Sequence, residues 1–196
     1  MKLLQIMLLT VTFAAAAYAE QSPDALVKQT SQEVIDVLKQ DKELASGSQD
    51  KLLELVEAKV LPHFDFERMT RLTVGKHWNR ASAEQKEELQ REFKNLLIRT
   101  YSAAFTGYQN QTVEVKPLRA DPKDRATVQT LVNRPGGKPI EVNYDLGKTP
   151  NGWKVYDVAI EGVSLVTNYR STFATEIQQG GIDGLIKALR EKNKSA

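Results

Sequence analysis

The chain contains no cysteine. Disulfides and thiolate metal sites are therefore excluded, and 196 residues are enough to bury a core without them. Histidine is almost as scarce: His63 and His77 stand fourteen residues apart and outside any zinc-binding pattern. Carboxylates would have to complete a zinc site, so the plain reading is two hydrogen-bonded or exposed histidines. The sequence also lacks a GxSxG nucleophile elbow. Its glycine pairs, Gly136-Gly137 and Gly180-Gly181, lack the strand-loop-helix setting of a phosphate loop. Ser164 reads as a helix N-cap rather than a nucleophile.

Neither sign of charge dominates. Once Lys2 is set aside as part of a leader, 26 basic residues face 25 acidic ones. This gives no reason to expect nucleic acid or lasting adhesion to an anionic membrane. No run is long enough to span a bilayer. Leu3 to Ala17 is apolar but short, follows Lys2, and ends in the A-x-A motif Ala17-Tyr18-Ala19. Residues 1–19 are thus expected to be a cleaved signal peptide, and 20–196 a single exported, soluble domain. Export without cysteine points to a bacterial periplasm, which makes the Asn-x-Thr triplet at Asn110 a chance match.

What is present is apolar periodicity. Leu26, Val27, Thr30, Val34, Val37 and Leu38 share one helical face, with Pro23 in the first turn. Ser48 is placed to cap a second helix, and Pro62 closes it. Asp65 caps a short helix, with Phe64 and Met69 at the positions of a hydrophobic staple and Gly75 as a left-handed end. Ser82-Ala-Glu-Gln85 has capping-box spacing and opens the longest helix, with Leu89, Phe93, Leu96, Leu97 and Tyr101 in register.

From Thr112 the period becomes two. Val113 and Val115, then Val128, Thr130 and Val132, then Ile140, Val142, Tyr144 and Leu146 alternate with polar residues. Short turns at 134–139 and 150–152 imply an antiparallel meander of about four strands. The last strand has Trp153 and Val155 on one parity and Val158 and Ile160 on the other, so it either bulges or is covered on both faces. Two tail helices flank Gly180-Gly181. The expected class is α+β, a twisted antiparallel sheet packed with helices.

One acid/base pair is conceivable. Asp145 and Asp157 fall on adjacent strands near Tyr144 and Tyr156, as a small-molecule isomerase or hydrolase would require. If Tyr144 points inward, Asp145 points out to solvent. A lipid-free adaptor with a solid core is a further alternative. Arg119, Lys123, Arg125, Arg134 and Lys138 read as a solvated basic rim or a docking patch.

"LPHFDFERMTRLTVGKHW" and "ASAEQKEELQREFKNLLIRTYSAAFTGY", followed by "NGWKVYDVAIEGVSLVTNYRSTF" and "GGIDGLIKALREKN", together resemble the MlaC family. This is also known as the toluene-tolerance or ABC-transporter auxiliary component family. The resemblance covers nearly all of residues 20–196. It implies a non-enzymatic periplasmic phospholipid carrier in a fold like the nuclear-transport-factor (NTF2-like) cone, its helices enclosing an apolar cavity. Phospholipid would be the ligand, with no cofactor or metal. The implied partners are an outer-membrane lipoprotein–porin complex and an inner-membrane ABC transporter with its MCE-domain protein, in a pathway that maintains outer-membrane lipid asymmetry. Laid over that cavity, the periodicity places Phe64, Phe66, Met69, Leu97, Tyr101, Phe105, Tyr144, Trp153, Val155, Val163, Val166, Tyr169 and Phe173 on its wall, with a monomer as the expected state.

Overall fold

A computed structural model describes residues 21–45, 48–102, 110–119 and 122–195. The expected signal peptide 1–19 and the candidate Phe105 lie outside the described residues. Helices α1 (Pro23–Gln40), α2 (Lys42–Ala45), α3 (Gln49–Lys59), α4 (Phe66–Val74) and α5 (Ala83–Ser102) precede the strands. These are β1 (Thr112–Val115), β2 (Arg125–Asn133), β3 (Ile140–Thr149), β4 (Gly152–Ile160) and β5 (Val163–Ser164), and α6 (Leu165–Ser195) closes the chain.

The helix starts follow their side chains. Ser82 N–H donates to Gln85 Oε1 at 3.0 Å, and Gln85 N–H donates to Ser82 Oγ at 3.1 Å, which completes the capping box of α5. Asp65 caps α4 by accepting from Arg68 N–H at 2.9 Å. Ser48 makes no side-chain cap bond; its carbonyl accepts from Leu52 N–H at 3.1 Å. Gly75 has positive φ (61°), but ψ of −133° leads the chain into a 3-10 turn, Gly75–Arg80, rather than into a left-handed helix end.

The sheet is fully antiparallel in the order β1-β2-β3-β4-β5. A fifth strand therefore joins the expected four. It forms because Glu161 (φ 51°) and Gly162 (φ 80°) both take positive φ, the requirement of a two-residue hairpin turn, which brings Val163 opposite Ile160. Glu161 is held there twice: its N–H donates to Glu141 O at 2.9 Å, and its carboxylate accepts from Glu141 N–H at 3.1 Å.

The mixed parity of β4 is resolved by a bulge. Leu146 faces Val155, but Asp145 faces Asp157, so Tyr156 is an extra residue on β4. The bulge puts Trp153, Val155, Val158 and Ile160 on one face, in register with Lys148, Leu146, Tyr144 and Val142. Val128 and Leu146 on that face are fully buried. Buried Thr130 shares it by donating to Val142 O at 2.6 Å.

Helices α4, α5 and α6 cover this inner face with Met69, Leu89, Phe93, Leu97, Phe173 and Leu185. A second apolar cluster, Val34, Leu38, Leu44, Leu52, Leu55 and Val56, joins α1, α2 and α3. Within α6, Gly181 (φ 67°, ψ −165°) breaks the helix at the expected glycine pair. The segment beyond is tied to α5 by Gln85 Nε2 donating to Asp183, Arg190 to Glu88 and Asn193 to buried Glu92, at 2.5–2.9 Å.

Candidate functional site

The segment before α4 fixes the site's edge. Phe64 bridges Val155 in parallel and Asp65 N–H donates to Val155 O at 2.8 Å, so the chain runs as a short extra strand beside β4. Phe64 and Phe66 stack with ring centroids 5.6 Å apart. Across the interior, Phe93 meets Tyr169 and Phe173 edge-on, each at 5.1 Å between centroids.

The expected wall residues divide into groups. Met69, Leu97, Trp153, Val155, Val166 and Phe173 are buried, with their surface already covered by neighbouring side chains. Phe64, Phe66, Tyr101, Tyr144 and Tyr169 pack on the core while keeping accessible area. Val163 departs from expectation: it is 57 % exposed, because β5 is the outermost strand and lies just past the hairpin turn.

Tyr144 is the informative member. Burial pushes its phenol up to about 12, yet the residue retains accessible surface. Its inward neighbours Val142 and Ile160 are also half-buried, and these two were not anticipated as site residues. Their alternation was legible; which inward positions stay uncovered depends on helix placement, which alternation does not encode. Burial likewise raises the Tyr101 phenol, and Tyr169 adds to the shift through its charge and a hydrogen bond.

The acid/base pair takes a structural role. Asp145 and Asp157 do sit opposite each other on β3 and β4. Asp145 accepts from Thr127 Oγ1 at 2.6 Å. Asp157 Oδ1 accepts from Val158 N–H at 2.8 Å and Val166 N–H at 3.0 Å, and its Oδ2 accepts from Ser164 Oγ at 2.5 Å. Ser164 in turn caps α6 by accepting from Thr167 N–H at 3.0 Å. Both carboxylates are thus occupied in holding the strands and the start of α6.

Among the described residues, no group of three or more His, Asp or Glu side chains is arranged to hold a metal. No helix among them is long and apolar enough to cross a membrane. The inner face therefore offers half-covered apolar side chains with phenols at its margin, a surface suited to hydrocarbon.

Comparisons with known proteins agree on one family. A solved structure of the phospholipid-binding protein from Ralstonia solanacearum, in complex with a phospholipid, superposes with a TM-score of 0.84. It is 39% identical and covers 89% of this chain and 98% of its own. The toluene tolerance protein ttg2D of Pseudomonas putida is 29% identical over 179 residues, 91% of this chain and 83% of the relative. The intermembrane phospholipid transport system binding protein MlaC of Haemophilus influenzae is 26% identical, over 89% of this chain and 84% of its own. The MlaC protein family model matches residues 28–191, and the chain belongs to that family.

Proposed function

We propose that this protein is a soluble periplasmic phospholipid carrier, a single unit over residues 20–196 that catalyses no covalent chemistry. It would take lipid between an outer-membrane lipoprotein–porin complex and an inner-membrane ABC transporter with its MCE-domain protein, and so maintain outer-membrane lipid asymmetry. The observation that supports this most is the half-buried inward apolar face around Tyr144, Val142 and Ile160. The resemblance to a neighbour solved with a phospholipid supports the class of ligand.

The energetics require such a carrier. At ~0.8 kcal/mol per buried CH₂, two acyl chains of roughly sixteen carbons represent on the order of 20 kcal/mol against water. Free lipid crosses an aqueous compartment too rarely to be useful. A carrier must shield the tails while leaving the headgroup wet, and hold them no more tightly than its partners do.

The test is native mass spectrometry on protein purified without detergent, before and after incubation with phospholipid vesicles. One phospholipid per chain is expected. Val142→Trp and Ile160→Trp should abolish lipid retention while far-UV circular dichroism stays parental, because both residues are half-buried and have room to grow. Val155 and Val166 are unsuitable positions, at 4% and 5% exposure, since an indole there would overpack the core. A parental protein that never loads, or tryptophan variants that carry as much lipid as the parent, would overturn the reading.

A further inference from the structure

The outer face of the sheet carries a feature that lipid binding does not use. Register sets Arg125, Gly147 and Lys154 side by side on β2, β3 and β4. Arg125 and Lys154 face away from the core, because their strand neighbours Ala126, Trp153 and Val155 belong to it; Gly147, between them, is itself buried. Gly147 leaves a gap in this row, and the Arg68 guanidinium fills it: a Cβ at Gly147 would collide with Arg68 Nη1. The guanidinium lies over the Tyr156 ring, 3.5 Å from its centroid, and Tyr156 is the bulged residue of β4. Strands ~4.8 Å apart place the backbones of Arg125 and Lys154 roughly 10 Å apart, on either side of Gly147.

Among the described residues, no carboxylate forms an ion pair with Arg68, Arg125 or Lys154. Lys154 Nζ donates to the Pro62 carbonyl at 2.5 Å, a neutral partner. Two acids in the next row of this face, Asp145 and Asp157, are committed to Thr127 and to the start of α6. Lys154 also borders a cleft of about 270 Å³ whose other lining residues, Gln21, Leu26, His63, Asn151, Gly152 and Trp153, include the core residues Leu26 and Trp153. Of the five cations expected to form a rim, Arg134 and Lys138 flank the β2–β3 turn at the opposite end of the strands.

We propose that this end of the outer sheet face docks an acidic surface of a partner protein. Arg68 and Arg125 take its carboxylates, and Lys154 adds a third positive charge beside them. Arg68 is held rigid by stacking, so its fork is set in advance for a carboxylate, as in an interface anchor. A bilayer gains little from that rigidity. Three basic residues alone hold a protein only weakly at a membrane surface. The exposed large apolar side chain found among the described residues, Val163, sits at the far end of β4.

The test uses the isotope-labelled chain 20–196, titrated by NMR with hexaglutamate and, separately, with phosphatidylglycerol vesicles. Hexaglutamate should shift the amides of Arg125, Gly147, Lys154 and Tyr156, and binding should fade towards ~0.15 M salt. Arg68→Ala and Arg125→Ala should each weaken it about tenfold. Gly147→Ala should match Arg68→Ala by expelling the guanidinium, while Lys187→Ala on α6 changes nothing. Lipid load by native mass spectrometry should stay parental in all four, which separates this surface from the lipid slot. Arg125 is exposed at a strand start, so its variant reports even if Arg68→Ala misfolds. Shifts spread evenly over every basic residue, parental binding by Arg125→Ala, or vesicle binding tighter than peptide binding through the same residues would overturn the proposal.

Discussion

Replacing Asp157 with asparagine separates a structural carboxylate from a catalytic one. Asp157 accepts three hydrogen bonds, from Val158 N–H, Val166 N–H and Ser164 Oγ, and so fastens β4 to the first turn of α6. Asparagine keeps one acceptor oxygen and turns the other into a donor facing Ser164. Hydrogen bonds to a charged group contribute about 1 kcal/mol more than neutral ones, so three of them lose on the order of 2–3 kcal/mol. Removing a negative charge from a helix N-terminus adds roughly 0.5 kcal/mol. For a domain of this size each kcal/mol moves Tm by about 2–4 °C, so the expected fall is about 10 °C by circular dichroism. Asp145→Asn is the control: it alters one exposed bond, to Thr127, and should shift Tm by less than about 3 °C. The folded Asp157→Asn protein should still carry lipid in native mass spectrometry. A parental Tm would refute the fastening argument, and a normal Tm with loss of a measurable turnover would revive the enzyme alternative.

Two further outcomes follow from the interior and from His63. Phe173→Ala removes a fully buried ring that meets Phe93 edge-on, and should cost about 3–5 kcal/mol in urea unfolding; a loss below about 1 kcal/mol would mean that the ring is not part of the packed core. His63 is held below its ordinary value, first by burial and then by the nearby Lys154 charge, with Glu33 opposing weakly. Below about pH 6.5 the unfolded chain therefore takes up the proton more readily, so stability falls as pH drops through the depressed folded value. His63→Gln should flatten that part of the Tm–pH curve, and an unchanged slope would assign the dependence to other groups.

Local rules carried much of the fold. The capping box at Ser82, the cap at Asp65 and the glycine break in the tail are written in adjacent residues, and each forms as expected. The parity conflict in β4 announced a bulge without deciding for it, since coverage of both faces would leave the same pattern. The fifth strand was invisible, because two residues show no period; only the pair of positive φ angles at Glu161 and Gly162 creates it. That same turn carries Val163 to the exposed edge, against expectation. The rim cations looked like one group in the sequence because Arg134 is near Arg125 along the chain; β2 places them at opposite ends. Arg68 escaped notice for a complementary reason. Its place is defined by a missing side chain at Gly147 and an extra residue at Tyr156, both far along the chain.

The ties between α5 and the end of α6 also bear on when the molecule can fold. Gln85–Asp183, Glu88–Arg190 and Glu92–Asn193 join residues 98, 102 and 101 positions apart, and Arg170 reaches back 98 positions to the Leu72 carbonyl. Such distant contacts reward the chain only after long loops have closed, which makes folding slow relative to helical proteins of similar size. Helices α4 and α5 cover only part of the inner face of the sheet, and its cover is complete only when α6 has followed β5. A chain emerging amino-terminus first would remain open, and threadable, until α6 had been delivered.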